Sequence, residues 1–288
     1  MQWFALLSTK SGVRLELIDY VKALEKLDNR GRMVEIVSAL KRLGLRPEIQ
    51  ECRWLGVKNI IVDFSCEGRA ASLLFTAHYD SVPGSPGAND DASGVAVLLG
   101  VCRELKNTAV PVRAIFFDRE EAWFRTPLLR FGLLGSLCYV RKADLKNVGA
   151  VYNLEFCGRG DVLVVWPVRK SDAGRKTIKT LDETASRLSV RFIQGCVPWY
   201  LISSDHLPFR LKGIDAVTVS MLPGDKIPAL EKVFNGEKSG HFLRLQEKLA
   251  DLLSARHTHE DTSRMLDEKA LQTMLSLALE VVRCHSFR

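Results

Sequence analysis

Three short, mostly apolar runs constrain this chain more than any other feature. They are ASLLFTA (71–77), VRAIFFD (112–118) and GAVYNLEF (149–156). ASLLFTA has no polar alternation, so its strand must be covered on both faces, as the central strands of parallel sheets are. Helical patterns fall between the strands. Residues 14–43 place Leu15, Leu17, Ile18, Val21, Leu24 and Leu27 on one face of one or two amphipathic helices. SGVAVLLGVCREL (93–105), 132–143, 175–188 and 268–285 also read as helices, and 57–64, 161–167 and 213–221 as strands. This alternation predicts an α/β fold, a three-layer α/β/α domain with a central mixed, mostly parallel twisted sheet. A chain of 288 residues with 47% apolar content suits one domain over 1–288, with 1–50 as its N-terminal helical part.

The same runs share a second property: each ends in a titratable group. The first leads into His78, the second into Glu120 and Glu121, and the third reaches Glu155. The segment after His78, YDSVPGSPGANDDASG, carries Asp80, Asp90 and Asp91 before the helix at 93. Ligands of open α/β sheets bind outside the carboxyl ends of the strands, so these groups are expected at one edge. RHTHEDT (256–262) adds His257 and His259 just before the last helix. A single carboxylate after a strand is ordinarily a turn former or helix cap. Asp91 fits that role at the start of 93–105. The whole set is not explained that way, because buried carboxylates without partners are costly.

The donor types suit zinc. Two histidines and three carboxylates without a thiolate form a site of borderline hardness. Two Zn²⁺ carry four positive charges. Asp90, Glu121 and Glu155 with one bridging hydroxide supply four negative charges, so such a site can be buried neutral.

Bulk composition excludes several other classes. The net charge of +7 is spread along the chain, and its densest basic run, RKSDAGRKTIK (169–179), reads as a solvated turn and helix face. No reader motif accompanies it, so no nucleic-acid partner is expected. No apolar run reaches membrane-spanning length, and no membrane partner is expected. The N-terminus lacks a basic region and a small-residue cleavage site, so the expected compartment is the cytoplasm. The seven cysteines include no CxxC pair and mostly sit in apolar runs, which predicts reduced, buried thiols. Two long connections, 122–131 and 222–245, are candidate pocket walls. In them, Trp123, Phe124 and Phe131 are candidate pocket residues and His241 is a loop residue. Trp199 and Tyr200 are candidates for the pocket rim.

TAHYDS, PGANDDASGVAVLL, FFDREEA with GLLGS, NLEFCG, SSDHLPF and HTHEDT follow one another in this order. Together they resemble the co-catalytic zinc aminopeptidases of the bacterial leucyl aminopeptidase type, over roughly residues 55–285. Glutaminyl cyclases share that fold and much of the pattern. The resemblance implies a zinc exopeptidase fold and two Zn²⁺ per chain. It implies metal ligands at His78, Asp90, Glu121, Glu155 and His257, with Asp90 bridging. Asp90 is favoured over Asp91 by its spacing of twelve from His78. Asp80 takes the place of the acid that orients His78, and Glu120 that of the general base acting on a metal-bridging hydroxide. His259 and His206 are implied to be non-ligands, and Asp205 a support for the base or a contact for a substrate amine. The implied substrate is a peptide or amino-acid amide with a free N-terminus; the oligomeric state is left open.

The alternatives are a glutaminyl-peptide cyclotransferase using one zinc, an inactive binding protein on the same fold, and another amide hydrolase. Three positions depart from the pattern. Glu155 stands where many relatives carry Asp, and residues 122–131 lengthen one connection. Arg256 stands where some relatives have an aromatic and the cyclases have Trp, which speaks against cyclisation.

Overall fold

The computed structural model describes residues 16–65, 72–121, 124–125, 130–166, 172, 174–195, 204–228 and 255–286. Ten strands are described: β1 (Glu48–Cys52), β2 (Val57–Asp63), β3 (Leu73–His78), β4 (Val112–Phe117), β5 (Phe124–Arg125), β6 (Arg130–Phe131), β7 (Ala150–Leu154), β8 (Val162–Trp166), β9 (Arg191–Gln194) and β10 (Ala216–Leu222). The described α-helices are α1 (Leu17–Leu24), α2 (Asn29–Arg42), α3 (Ser93–Leu105), α4 (Leu134–Lys142), α5 (Lys176–Arg187), α6 (His206–Leu211) and α7 (Glu268–Ser286).

Eight strands form one mixed sheet in the order β1-β2-β4-β3-β7-β10-β8-β9. Its centre, β4-β3-β7-β10, is parallel. The flanking pairs β1-β2, β2-β4 and β10-β8 are antiparallel, and β8-β9 is parallel. Strands β3, β7 and β10 are buried along their whole length, as their mostly apolar sequences lead one to expect, and Thr76, Asn153 and Thr218 within them hydrogen-bond to other buried side chains. The two-residue strands β5 and β6 pair with each other, apart from the main sheet.

Alternate residues of each central strand feed two cores. Leu73, Phe75 and Ala77 face a large cluster containing α3 and residues of α1, α2, α5 and α7. Leu74, Ile115, Phe117 and Val151 face a smaller cluster with Tyr139 of α4 and Phe209 of α6. Helices therefore cover both faces, and the three-layer α/β/α arrangement follows. α3 packs against α1 and α7 and is buried from Ser93 to Cys102. Its sequence is apolar all round, as a helix inside a core must be.

The cysteines depart from the expectation of reduced thiols. Cys52 at the end of β1 is disulfide-bonded to Cys138 of α4, while Cys102, Cys157 and Cys284 are free. The bond closes a sequence separation of 86 residues, so no short spacing motif signals it.

Candidate metal centre

The chain runs from β3 to β4 on one side of the sheet, then crosses to β7 on the other side of β3. The strand order reverses there, and a crevice opens at the carboxyl ends of the strands. β3 ends at His78, β4 leads into Asp118–Glu121, and β7 leads into Glu155. The 88–92 turn brings Asp90 to the same edge, and the segment before α7 brings His257. All five expected ligands converge. His78, Asp90, Glu120 and Glu155 are almost fully buried, Glu121 is buried, and His257 is partly exposed.

Asp90 is the hub. Its Oδ1 lies 3.2 Å from His78 Nε2, and its Oδ2 lies 3.3 Å from His257 Nε2. Glu121 Oε1 lies 2.7 Å from the same His257 nitrogen. Donor atoms fall into three groups whose members lie within 4.8 Å of one another: His78–Asp90–Glu155, Asp90–Glu121–His257 and His78–Glu120–Glu121. The first two share Asp90, which is the arrangement a bridging carboxylate requires.

Behind these donors lies a supporting shell. His78 Nδ1 is 3.2 Å from the Asp80 carbonyl and 3.3 Å from Asp80 Oδ1, which turns Nε2 toward Asp90. Asp80 also accepts the backbone N–H groups of Glu120 (2.9 Å) and Glu121 (3.0 Å), so one carboxylate positions three site residues. Asp91 accepts the Gly94 N–H at 3.1 Å at the start of α3, the capping role read from the sequence. A Cβ on Gly94 would lie 2.6 Å from the Leu154 carbonyl oxygen and 2.5 Å from both Asp91 oxygens, so the close approach needs glycine. His259 is exposed. His206 is buried away from the donor groups, with Nδ1 2.7 Å from Thr218 Oγ1, and burial pushes its pKa down to about 3.

Two supports were not singled out from the sequence. Asp261, the second acid of HTHEDT, accepts the N–H groups of Asn89 (2.8 Å) and Asp90 (3.2 Å) and so holds the bridging residue. Arg32 of α2 is fully buried. Its guanidinium donates to the carbonyls of Leu24 (3.2 Å), Tyr79 (3.2 Å), Gly87 (3.3 Å) and Pro86. It thereby ties down both ends of the loop between Asp80 and Asp90. Gly87 turns beside it with φ of +52°, where a Cβ would lie 2.7 Å from the Asp90 carbonyl oxygen. The motif order drew attention to the ligands; a lone arginine on a helix carried no comparable signal.

Backbone conformation is constrained at the same edge. Arg119, Phe156 and His257 adopt left-handed φ angles of 54°, 55° and 62°. They precede Glu120, follow Glu155 and form a ligand position respectively. Left-handed non-glycine residues cost about 1–3 kcal/mol each and cluster at functional sites.

Electrostatics show what this arrangement needs. Burial pushes Glu120 well above the usual carboxylate range, and Glu121 and Glu155 nearby add to the rise. Burial and the charge of Asp90 raise Glu155. Burial opposes ionisation of Asp90, but Arg256 and the two histidines hold it well below that range. Burial would depress His78, yet its hydrogen bonds to Asp80 and Asp90 raise it well above the usual imidazole value. Both oxygens of Glu120 and Oε2 of Glu155 are buried without a hydrogen-bond donor among the described residues. Buried acceptors without donors, gathered around a shared carboxylate, fit a divalent cation.

The family model for peptidase family M28 matches residues 59–282. The chain belongs to peptidase family M28. Aminopeptidase YwaD of Bacillus subtilis is 36% identical over 154 residues, covering 50% of this chain and 30% of that protein. The vacuolar membrane protease of Candida albicans is 40% identical over 223 residues, covering 75% of this chain and 22% of that protein. The chain thus spans less than a third of either relative. Among solved structures, the zinc aminopeptidase BSAP from Bacillus subtilis superimposes with a TM-score of 0.58 at 26% identity, over 79% of this chain and 50% of that one. The glutaminyl cyclase of Porphyromonas gingivalis gives 0.69 at 20% identity over 94% and 97%, a likeness of fold. The M28 assignment agrees with the expected zinc exopeptidase fold. Trp199, Tyr200 and His241, and the side chains of Trp123, Phe124 and Phe131, lie outside the described residues.

Proposed function

We propose that this M28 chain is a zinc-dependent aminopeptidase that removes residues from the free N-terminus of peptides. One observation carries the reading: Asp90 is shared by two groups of three ligand atoms, with the donor-free carboxyl of Glu120 beside them. His78, Asp90 and Glu155 would hold one Zn²⁺, and Asp90, Glu121 and His257 the other. Bound zinc would supply Lewis acidity, polarising the scissile carbonyl and acidifying a water near neutral pH.

The chain's own groups do the rest. Glu120 takes a proton from the attacking water and passes it to the leaving amine; its buried carboxyl has no hydrogen-bond donor among the described residues to compete for that proton. Asp80 fixes the His78 ring and the backbone of Glu120 and Glu121 together, so ligand and base keep their mutual position. The acidic cluster attracts a substrate ammonium, which selects unblocked N-termini.

A second reading is supported by Asp205. It is buried, and burial pushes its pKa up to about 7 against the opposing effects of His78 and the Ser136 hydroxyl. Its charge also acts on Glu120. Two protonatable acids of this kind suit a glutaminyl cyclotransferase, which must move protons without adding water.

Parallel assays on leucyl-p-nitroanilide, its N-acetyl derivative and a glutaminyl peptide separate the readings. The aminopeptidase reading predicts nitroaniline release from the free amine only. Ammonia loss from the glutaminyl peptide without nitroaniline release would replace it with the cyclase.

A further inference from the structure

The two donor groups around Asp90 differ in one respect: a guanidinium stands on one of them. Arg256 Nε lies 2.7 Å from Asp90 Oδ2, and its Nη2 lies 3.9 Å from Glu121 Oε1. These two oxygens are the ones next to His257 Nε2, at 3.3 and 2.7 Å. Arg256 therefore faces the carboxylates of the Asp90–Glu121–His257 group. On the other side, Asp90 Oδ1 meets His78 and, among the described residues, no arginine. The guanidinium also lies over the Phe156 ring, with Cζ 5.5 Å from its centroid. A cation–π contact gives the side chain a resting place that does not depend on Asp90.

We propose that Arg256 makes the two metal positions unequal: the His78–Asp90–Glu155 position binds a divalent metal first and tightly, and the Asp90–Glu121–His257 position fills only by displacing Arg256 from Asp90. The proposal rests on the metallopeptidase reading and adds the residue that sets occupancy. Two physical effects act together. A metal entering the second position must break a charge-assisted hydrogen bond to an oxygen it needs as a ligand. It also approaches a fixed positive charge in a partly buried site, where repulsion is weakly screened. The first position uses Asp90 Oδ1 and needs no such displacement, although the Arg256 charge also reaches Glu155. The neighbouring phenyl ring keeps the displaced guanidinium close, so competition persists after the metal binds. Arg256 thus acts as an intrinsic counter-ion that the second metal replaces.

Zinc titration of the metal-free full chain against a chromophoric chelator tests this, with wild type, Arg256→Ala and Arg256→Lys compared. Wild type should show a tight class and a weaker class of site. In Arg256→Ala the weaker class should tighten about tenfold or more, equivalent to ~1.4 kcal/mol, with the tight class unchanged. Arg256→Lys, a charge without the planar fork, should fall between. A wild type that binds one zinc beside an alanine variant that binds two would also support the proposal. It is overturned if the weaker class moves less than twofold, if both classes shift equally, or if both proteins bind one zinc only. Binding of no zinc by either protein would instead overturn the metallopeptidase reading. An unchanged tight class reports that the variant is folded; should Arg256→Ala lose it, Arg256→Gln takes its place under the same criteria.

Discussion

Glu120→Gln should bind zinc with wild-type stoichiometry and lose about 10²–10⁴ in turnover, the range that a general acid–base contributes. The replacement keeps the size of the side chain and removes its ability to take a proton. Glu120 is buried, and its backbone N–H is fixed 2.9 Å from Asp80, so the variant side chain should stay in place. The zinc measurement decides between two roles. Glu120 also belongs to a third donor group with His78 and Glu121. Loss of a zinc in the glutamine variant would make Glu120 a ligand and leave the base unassigned. Full zinc with undiminished turnover would remove Glu120 from the reaction.

Arg32→Met should destabilise the fold by about 3–5 kcal/mol, because several buried carbonyls are left without a donor at about 1–3 kcal/mol each. Methionine fills similar space but donates no hydrogen bond. Four carbonyls, those of Leu24, Tyr79, Pro86 and Gly87, would lose the donor that now serves them. Burial lowers the pKa of Arg32, while Asp80, Asp261, Asp91 and Asp90 favour its charge, so the substitution also removes a cation from the centre of an acidic cluster. Urea unfolding of the metal-free protein reads the loss directly. A change below about 1 kcal/mol, the size of a single ordinary hydrogen bond, would show that water or backbone movement replaces the guanidinium.

The parts of this fold that were legible in the sequence are those the core dictates. SGVAVLLGVCREL is apolar all round and begins just after its capping acid; the helix spans Ser93–Leu105, as read. The strand read over 71–77 occupies Leu73–His78, shifted by one or two residues. The edges of the sheet were not legible. EIQEC (β1) and RFIQ (β9) contain few fully buried residues, and an edge strand needs no apolar pattern. α6 has six residues, too few to establish a period. Among site residues, ligands that terminate apolar strands stand out because a buried strand gives no other reason for an acid or imidazole at its end. Arg32 and Asp261 did not stand out, because their partners are backbone groups brought near by the fold. The Cys52–Cys138 bond was missed for the same reason: only the packing of α4 against β2 brings the two residues together.

The central claim is that the acids and histidines at this sheet edge exist to hold zinc, with Asp90 common to both positions. Elemental analysis of zinc per chain, after zinc saturation and removal of excess, tests it in wild type and in Asp90→Ala. The account predicts bound zinc in the wild type, two ions where the weaker position is filled, and loss of all of it from a folded Asp90→Ala, because each donor group loses its shared carboxylate. A zinc-free wild type, or an alanine variant that keeps wild-type zinc, would contradict it.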